Sequence, residues 1–486
     1  MSIEYLMPYL AIALYLLGTL WVGLAGYQKE QNTVEGYFLA DRKINPIVLF
    51  FTLSATNFSA FFFLGFAGSG YRIGLSYYPM MAFDTGMAAL GFYYIGYKVW
   101  QLGKKKGLIT PPELIDVCFH SKALKLLVMA VMVIFTMPYL TLQPIGAGYL
   151  LSSLTNGQIP YFLGATLLTL IIVFYVCVGG MKSVALTDIW QGVLMFVLMS
   201  AAFGAIANSL GGLATANSNV YEISPELLSR QGVNNFFTQK KLFSYIILWN
   251  FALPMLPQML MRFYAAKNAN SLKVSTVFYP IVTTILFICP VMIGMWGHIA
   301  FPDLVGKDAD RILPMMLEKY APIWLSSFVM VGALAAFMST MDSQLLAIGS
   351  MLTRDIYISY FRKNASLKEQ TLMGRVLIVL AAIVGLILAY KPPASIFAMA
   401  TQAFTGLSVL FPTVIAALYG KNIHPLSCII SIVAGELVLL GFQLGLIPPS
   451  LTFGFLPVVP IVALSALIIV LGNPIINQLQ GAQPEP

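Results

Sequence analysis

The chain has 486 residues, 59% hydrophobic and only 9% charged, with a mean hydropathy of +0.83 and a formal net charge of +8. A soluble domain carries roughly 25% charged residues, so the composition excludes that class and predicts an all-α polytopic membrane protein. Its positive charge sits in the loops between apolar segments, so no nucleic acid partner is expected.

Thirteen apolar segments of about the ~20 residues that cross a bilayer are predicted, at 4–26, 46–71, 77–101, 124–153, 160–178, 183–209, 242–264, 274–300, 322–352, 372–390, 394–419, 424–445 and 453–473. The first lacks a basic leader and begins with Glu4, so it is expected to stay as a span rather than be cleaved as a signal peptide. In the second, Phe51 to Ala60 (FTLSATNFSA) places a run of small polar residues near mid-membrane. The third carries Asp84 and the twelfth Glu436, acids at membrane depth with no evident basic partner. Asp84 either lines the site or makes a structural hydrogen bond, and Glu436, outside the core, is expected to be structural or an oligomer contact. The sixth carries Asp188 near its inner end.

The seventh segment holds Pro254 and Pro257 in WNFALPMLPQ, Trp249 to Gln258. Each proline removes a backbone donor and frees a carbonyl one turn back. Non-helical backbone at that depth survives only where protein, ion or water satisfies it. The breaks in segments two and seven are five helices apart, the spacing of an inverted five-helix repeat that holds solute and ion near the midplane. The ninth segment contains AAFMSTMDSQLLA, Ala335 to Ala347. Counting from Ala336, Ser339, Thr340 and Ser343 fall at offsets of three, four and seven, one helical face, with Asp342 beside it. Hydroxyls and a carboxylate are hard oxygen ligands, suited to an alkali cation far better than to zinc or copper. The alternative is that the hydroxyls bond back to their own helix carbonyls.

With the first terminus outside, 19 of the 27 Lys and Arg residues fall in inner loops and helix ends, among them Lys29, Lys104, Lys105, Lys106 and Arg262. This predicts an outer N-terminus, a cytoplasmic C-terminus and contact with anionic inner-leaflet lipid. Cys118, Cys177, Cys289 and Cys428 form no metal or redox spacing, and His120, His298 and His424 are scattered. No phosphate-cradling loop, nucleophile elbow or triad pattern is present, so the protein is not expected to be an enzyme. The outer stretches 210–241 and 301–320 are read as gate elements or solvated loops.

The chain resembles the sodium/solute symporter family, the group that includes bacterial proline, pantothenate, galactose and sialic acid symporters. The resemblance rests on Gly36 to Arg42 (GYFLADR), Ser54 to Ser59 (SATNFS), Gly179 to Gln191 (GGMKSVALTDIWQ), Arg262 to Lys267 (RFYAAK) and Met338 to Gln344 (MSTMDSQ). It implies a LeuT-type fold: residues 1–44 as a first helix and cytoplasmic loop, a ten-helix core over 45–420 with repeats at about 45–210 and 241–420, and two further helices in 421–486. It implies a main sodium site formed by the carbonyls of Ala55, Phe58 and Ala336 and the hydroxyls of Ser339 and Thr340. Asp188 lies where similar proteins approach a second cation, which Asp342 and Ser343 could complete. Capping or a hydrogen bond within the bundle is the alternative for Asp188.

Asn57 and Ser59 at the first break, Tyr139 and Gln143 in the fourth segment, and Trp249 and Gln258 at the second break are expected to face the solute. Aromatics beside amides suit a small polar organic molecule. No arginine is expected inside the cavity helices, which disfavours a dianion; amino acid, pantothenate-like monocarboxylate and sugar remain. The expected function is sodium-coupled import by a multi-pass cell-membrane protein acting as a monomer. A proton-coupled transporter of the same fold and a transporter-like sensor are the alternatives; a sensor is expected to append a signalling domain, and this sequence ends at Pro486, just past the last segment.

Overall fold

The computed structural model describes residues 3–25 and 33–481, so Lys29 falls outside the described residues. Among those described, all regular structure is helical apart from one isolated parallel bridge between Ile44 and Ala266. Among the described residues, nine helices are long and apolar enough to cross a membrane, or eleven when each of two bent pairs counts as one span. Their exposed side chains include Trp21, Leu170, Ile285 and Val470, as suits helices whose solvent is lipid.

Helix α1 spans Ile3–Ala25. Helix α2 (Pro46–Asn57) starts on an Asn45 cap with Pro46 in its first turn and stops where Phe58 turns extended, at φ −86° and ψ 96°. The chain resumes as a π turn over Phe61–Gly65 and then α3 (Phe66–Ile73), bent by 56° from α2. Helices α4 (Tyr77–Lys106) and α5 (Lys122–Leu154) follow.

The expected fifth and sixth segments follow one another directly in α6 (Tyr161–Ser209), two helices joined at Gly180, whose φ of 57° and ψ of −150° are not helical. A Cβ at Gly180 would lie 2.4 Å from the Tyr37 carbonyl oxygen, so close backbone approach and positive φ both require glycine there.

The second break follows α7 (Gln239–Ala252). Pro254 lies in a short 3-10 turn and Pro257 opens α8 (Pro257–Ala265), bent by 53°. Helices α9 (Ala269–Leu286) and α10 (Ile288–Trp296) lead to α11 (Ile323–Met351). Every residue of α11 from Val329 to Met351 is buried, the mark of a helix enclosed on all sides. It packs against α6, α5, α1 and α2. The chain closes with α12 (Leu367–Ala389), α13 (Ile396–Ser408), α14 (Phe411–Tyr419), α15 (Pro425–Gln443) and α16 (Val458–Gly481).

The stretches 210–241 and 301–320, expected as gate elements or solvated loops, are packed against the core. The N–H of Leu75 donates to the Leu227 carbonyl at 2.7 Å, and the Tyr71 hydroxyl donates to the Phe301 carbonyl at 2.6 Å. Asp310 accepts from Arg72 Nη1 at 2.9 Å and from the Ile396 N–H at 2.8 Å, joining α3 to the start of α13. Burial pushes the Asp310 carboxyl above the usual carboxylate range, and Arg72 opposes that shift.

Candidate cation and solute site

The break after α2 puts backbone oxygens opposite the polar face of α11. The Ala60 N–H, which an unbroken helix would direct to the Thr56 carbonyl, donates instead to Gln143 Oε1 at 3.0 Å. Thr340 Oγ1 takes its place, donating to the Thr56 oxygen at 2.9 Å. Ser339 Oγ lies 2.9 Å from the Ala55 oxygen and 3.0 Å from that of Ala336 on its own helix. Ser339 therefore both reaches across and bonds back, whereas the Thr340 bond runs across to α2. Phe58, also expected here, has its N–H on the Ser54 carbonyl and forms the turn itself. A hydroxyl has one proton and two lone pairs, and each carbonyl has two lone pairs. This cluster consequently offers hard oxygen without any group that must first be deprotonated, a donor set that fits an alkali cation.

One turn away along α2 and α11 lies a charged cluster. Asp188 accepts from Thr52 Oγ1 and from Arg262 Nη2, the latter at 3.0 Å, with both members of the ion pair fully buried. Arg262 also donates to Thr52 Oγ1 at 2.8 Å, to the Gln258 carbonyl at 3.2 Å and to Ser343 Oγ. Asp342 accepts from the Tyr175 hydroxyl at 2.7 Å and from Ser343 Oγ at 2.9 Å. Ser343 in turn lies 3.0 Å from Thr56 Oγ1 and 2.7 Å from the Ser339 carbonyl, joining this cluster to the one above. The expectation that no arginine enters the core helices is thus corrected. Arg262, in the last turn of α8, is the buried positive charge beside Asp188, where a second cation was expected.

The expected solute residues divide. Asn57 and Trp249 line a closed cavity of ≈ 10 Å³, about the room of one water, with Phe61, Phe62, Phe66, Met81, Thr85, Leu253, Phe287 and Phe404. Asn57 donates to the Tyr279 hydroxyl. Trp249 stacks on Phe61 at 5.5 Å and meets Phe404 edge-on at 4.9 Å. Ser59, Tyr139 and Gln143 brace the break beside the cavity: Ser59 Oγ lies 3.2 Å from the Tyr139 hydroxyl and accepts from the Phe61 N–H at 3.1 Å, and Gln143 Nε2 donates to the Tyr139 carbonyl at 3.0 Å. Gln258 is buried one turn before Arg262, with neither amide atom hydrogen bonded. Larger clefts of ≈ 330 Å³ beside Tyr9 and ≈ 380 Å³ beside Lys182 contain none of these residues.

Sequence reasoning missed Thr52, Thr56, Tyr175 and Tyr279 as partners, and the phenylalanine wall altogether. Thr52 and Thr56 stand four apart within the same polar run as Asn57, a face that could have been read; a membrane phenylalanine gives no such signal.

The sequence profile of the Sodium:solute symporter family matches residues 37–435. The sodium/pantothenate symporter of Escherichia coli is 26% identical over 485 residues, 97% of each chain. The osmoregulated proline transporter OpuE of Bacillus subtilis is 26% identical over 476 residues, 94% of this chain and 92% of that one. A sodium-coupled sialic acid symporter, solved with substrate bound in an outward-open state, superposes with a TM-score of 0.79 at 17% identity over 96% of this chain and 98% of its own. Structural neighbours of this kind are LeuT-fold transporters. A profile match across most of the chain, over helices broken where a cation could be held, identifies this transporter as a member of the sodium:solute symporter family.

Proposed function

We propose that the protein imports a small polar organic solute together with sodium by alternating access. The observation that carries the reading is the pairing of the Ala55 and Thr56 carbonyls, at the break after α2, with the Ser339 and Thr340 hydroxyls of α11. Sodium at this point would take oxygens from both helices, with the Ala336 carbonyl, 3.0 Å from Ser339 Oγ, as a third backbone contributor and the Phe58 carbonyl as the fourth that the family resemblance implies. It would replace hydroxyl–carbonyl hydrogen bonds by ion contacts and tie the broken helix to α11. The solute cavity lies just beyond the same break, between Asn57 and Trp249, so ion and solute bias one movable element. Coupling then follows from unequal sodium affinity in the outward and inward forms. Moving one positive charge inward gains ~2.3 kcal/mol per 100 mV.

Asp188 and Asp342 bring two carboxylates to the charged cluster, and Arg262 supplies one guanidinium. A second cation at Asp188, Asp342 and Ser343 would require Arg262 to move away. The finer architecture belongs to the same reading: thirteen spans once α4 and both halves of α6 are counted, five-helix repeats over about 45–210 and 241–420, an outer N-terminus, a cytoplasmic C-terminus and a monomeric working unit.

The test is thermal stabilisation of the purified protein by amino acids, monocarboxylates, pantothenate and sugars, each in sodium and in potassium, followed by uptake into proteoliposomes with an imposed sodium gradient. Stabilisation that needs sodium, and accumulation that collapses with the gradient, support symport. Solute binding indifferent to the cation refutes sodium coupling and returns weight to a proton-coupled or sensory protein.

A further inference from the structure

Six aromatic rings bound the solute cavity, those of Phe61, Phe62, Phe66, Trp249, Phe287 and Phe404, and no lysine or arginine lines it. The arginines nearest the first and second breaks are engaged elsewhere, Arg72 with Asp310 and Arg262 with Asp188. On α4, Met81 and Thr85 line the cavity. Asp84, at i+3 from Met81, adjoins these lining residues on α4 without being one of them. It is 2% exposed, Oδ2 has no hydrogen-bond partner, and no ion pair to it exists among the described residues. Trp249 Nε1, which can only donate, is also buried without a partner.

Buried polar groups are normally satisfied, and a lone carboxylate at membrane depth is among the most costly to leave unmatched. The Asp84 carboxylate calls for a positive or hydrogen-donating group, whereas the Trp249 N–H calls for an acceptor. The ring faces carry partial negative charge, so they attract a cation and disfavour a bare carboxylate. A simple monocarboxylate would meet both Asp84 and the ring faces unfavourably. A molecule with a cationic nitrogen and an oxygen acceptor satisfies all three features at once.

We propose that the transported solute bears an ammonium or quaternary ammonium group, caged by the aromatic wall and paired with Asp84, so that Asp84 is the residue that selects it. The inference rests on the reading of this cavity as the solute site of a sodium-coupled importer. It narrows the solute to amino acids, imino acids and betaines, against sugars and simple monocarboxylates. The carboxylate of such a zwitterion points toward the Trp249 N–H and the cation at the break, away from Asp84.

The experiment is calorimetric titration of the full-length protein in sodium with the common amino acids, choline and glycine betaine, and with matched isosteres that lack the cationic nitrogen. L-proline is paired with tetrahydrofuran-2-carboxylate, and glycine betaine with 3,3-dimethylbutanoate; galactose and pantothenate complete the panel. The expected result is that an ammonium-bearing solute binds at least about tenfold more tightly than its isostere. Asp84→Asn should weaken that solute by about tenfold or more, with the sodium concentration for half-maximal stabilisation unchanged, and Asp84→Glu should recover part of the loss. Equal binding of the isosteres, unchanged affinity in Asp84→Asn, absence of binding by every ammonium solute, or binding confined to galactose or pantothenate each overturns the proposal. Should Asp84→Asn fail to fold, the wild-type comparison of isosteres still decides. Sodium alone is titrated first: if it does not stabilise the protein, sodium symport has failed independently of the solute class.

Discussion

Arg262→Gln is the perturbation that most directly probes how charge is held in the core. Arg262 and Asp188 are both fully buried and joined at 3.0 Å, and the same guanidinium binds Thr52, Ser343 and the Gln258 carbonyl. Removing one partner of such a pair leaves the other as an uncompensated buried charge, a loss of about 3–5 kcal/mol. The lost hydrogen bonds belong to that same figure and are not added to it. Neutralising the stranded acid in the double variant Asp188→Asn/Arg262→Gln should recover much of the loss, because the two amides need no charge partner. Sodium should also rescue the single variant more than the wild type, since the position beside Asp188 is then free for a cation. Thermal unfolding in detergent across a sodium titration, for the wild type, both singles and the double, reads all of this in one set. A loss under about 1 kcal/mol in Arg262→Gln, or a double variant as unstable as the sum of the singles, refutes the assignment of Arg262 as the charge partner of Asp188.

Ser339→Ala and Thr340→Ala each remove one oxygen facing α2, so the sodium concentration for half-maximal uptake should rise about tenfold, the equivalent of ~1.4 kcal/mol; Thr340→Ser should stay near wild type, and unchanged sodium dependence in both alanine variants would disprove the site. Gly180→Ala forces a side chain into positive φ and against the Tyr37 carbonyl, and a melting shift smaller than that of an exposed helix-surface substitution would mean the kink is not required. Asp310 has its carboxyl raised by burial, so the native state holds its proton more tightly than the unfolded chain does. Its contribution should be fully present below the ordinary aspartate value of ~3.9 and be lost as pH rises through the higher native one. Melting curves from pH 4 upward should show this slope in the wild type and lose it in Asp310→Asn; an identical slope in both would remove Asp310 as its source.

Local sequence carried the two helix breaks, because prolines and runs of small polar residues change backbone hydrogen bonding wherever they occur. The bends of 56° and 53° lie at FTLSATNFSA and at Pro254 and Pro257. The polar face of α11 was legible for the same kind of reason, since helical periodicity alone puts Ser339, Thr340 and Ser343 together. The gap between the fifth and sixth segments was legible at Gly179 and Gly180, whereas the approach of Tyr37 from a distant part of the chain, which makes Gly180 necessary there, was not. Arg262 read as a helix-end cation on the inner side, because sequence gives the end of α8 but not the depth at which that short half-helix is buried. The phenylalanine wall was invisible, since apolar composition does not distinguish a side chain facing lipid from one facing a cavity. The sequence by itself determined where the backbone breaks and which oxygens share a face, both consequences of bonds within a few residues. Which residue meets which across the bundle, Arg262 on Asp188 or Trp249 over Phe61, was decided by tertiary packing, because those partners are 74 and 188 residues apart and no local rule brings them together.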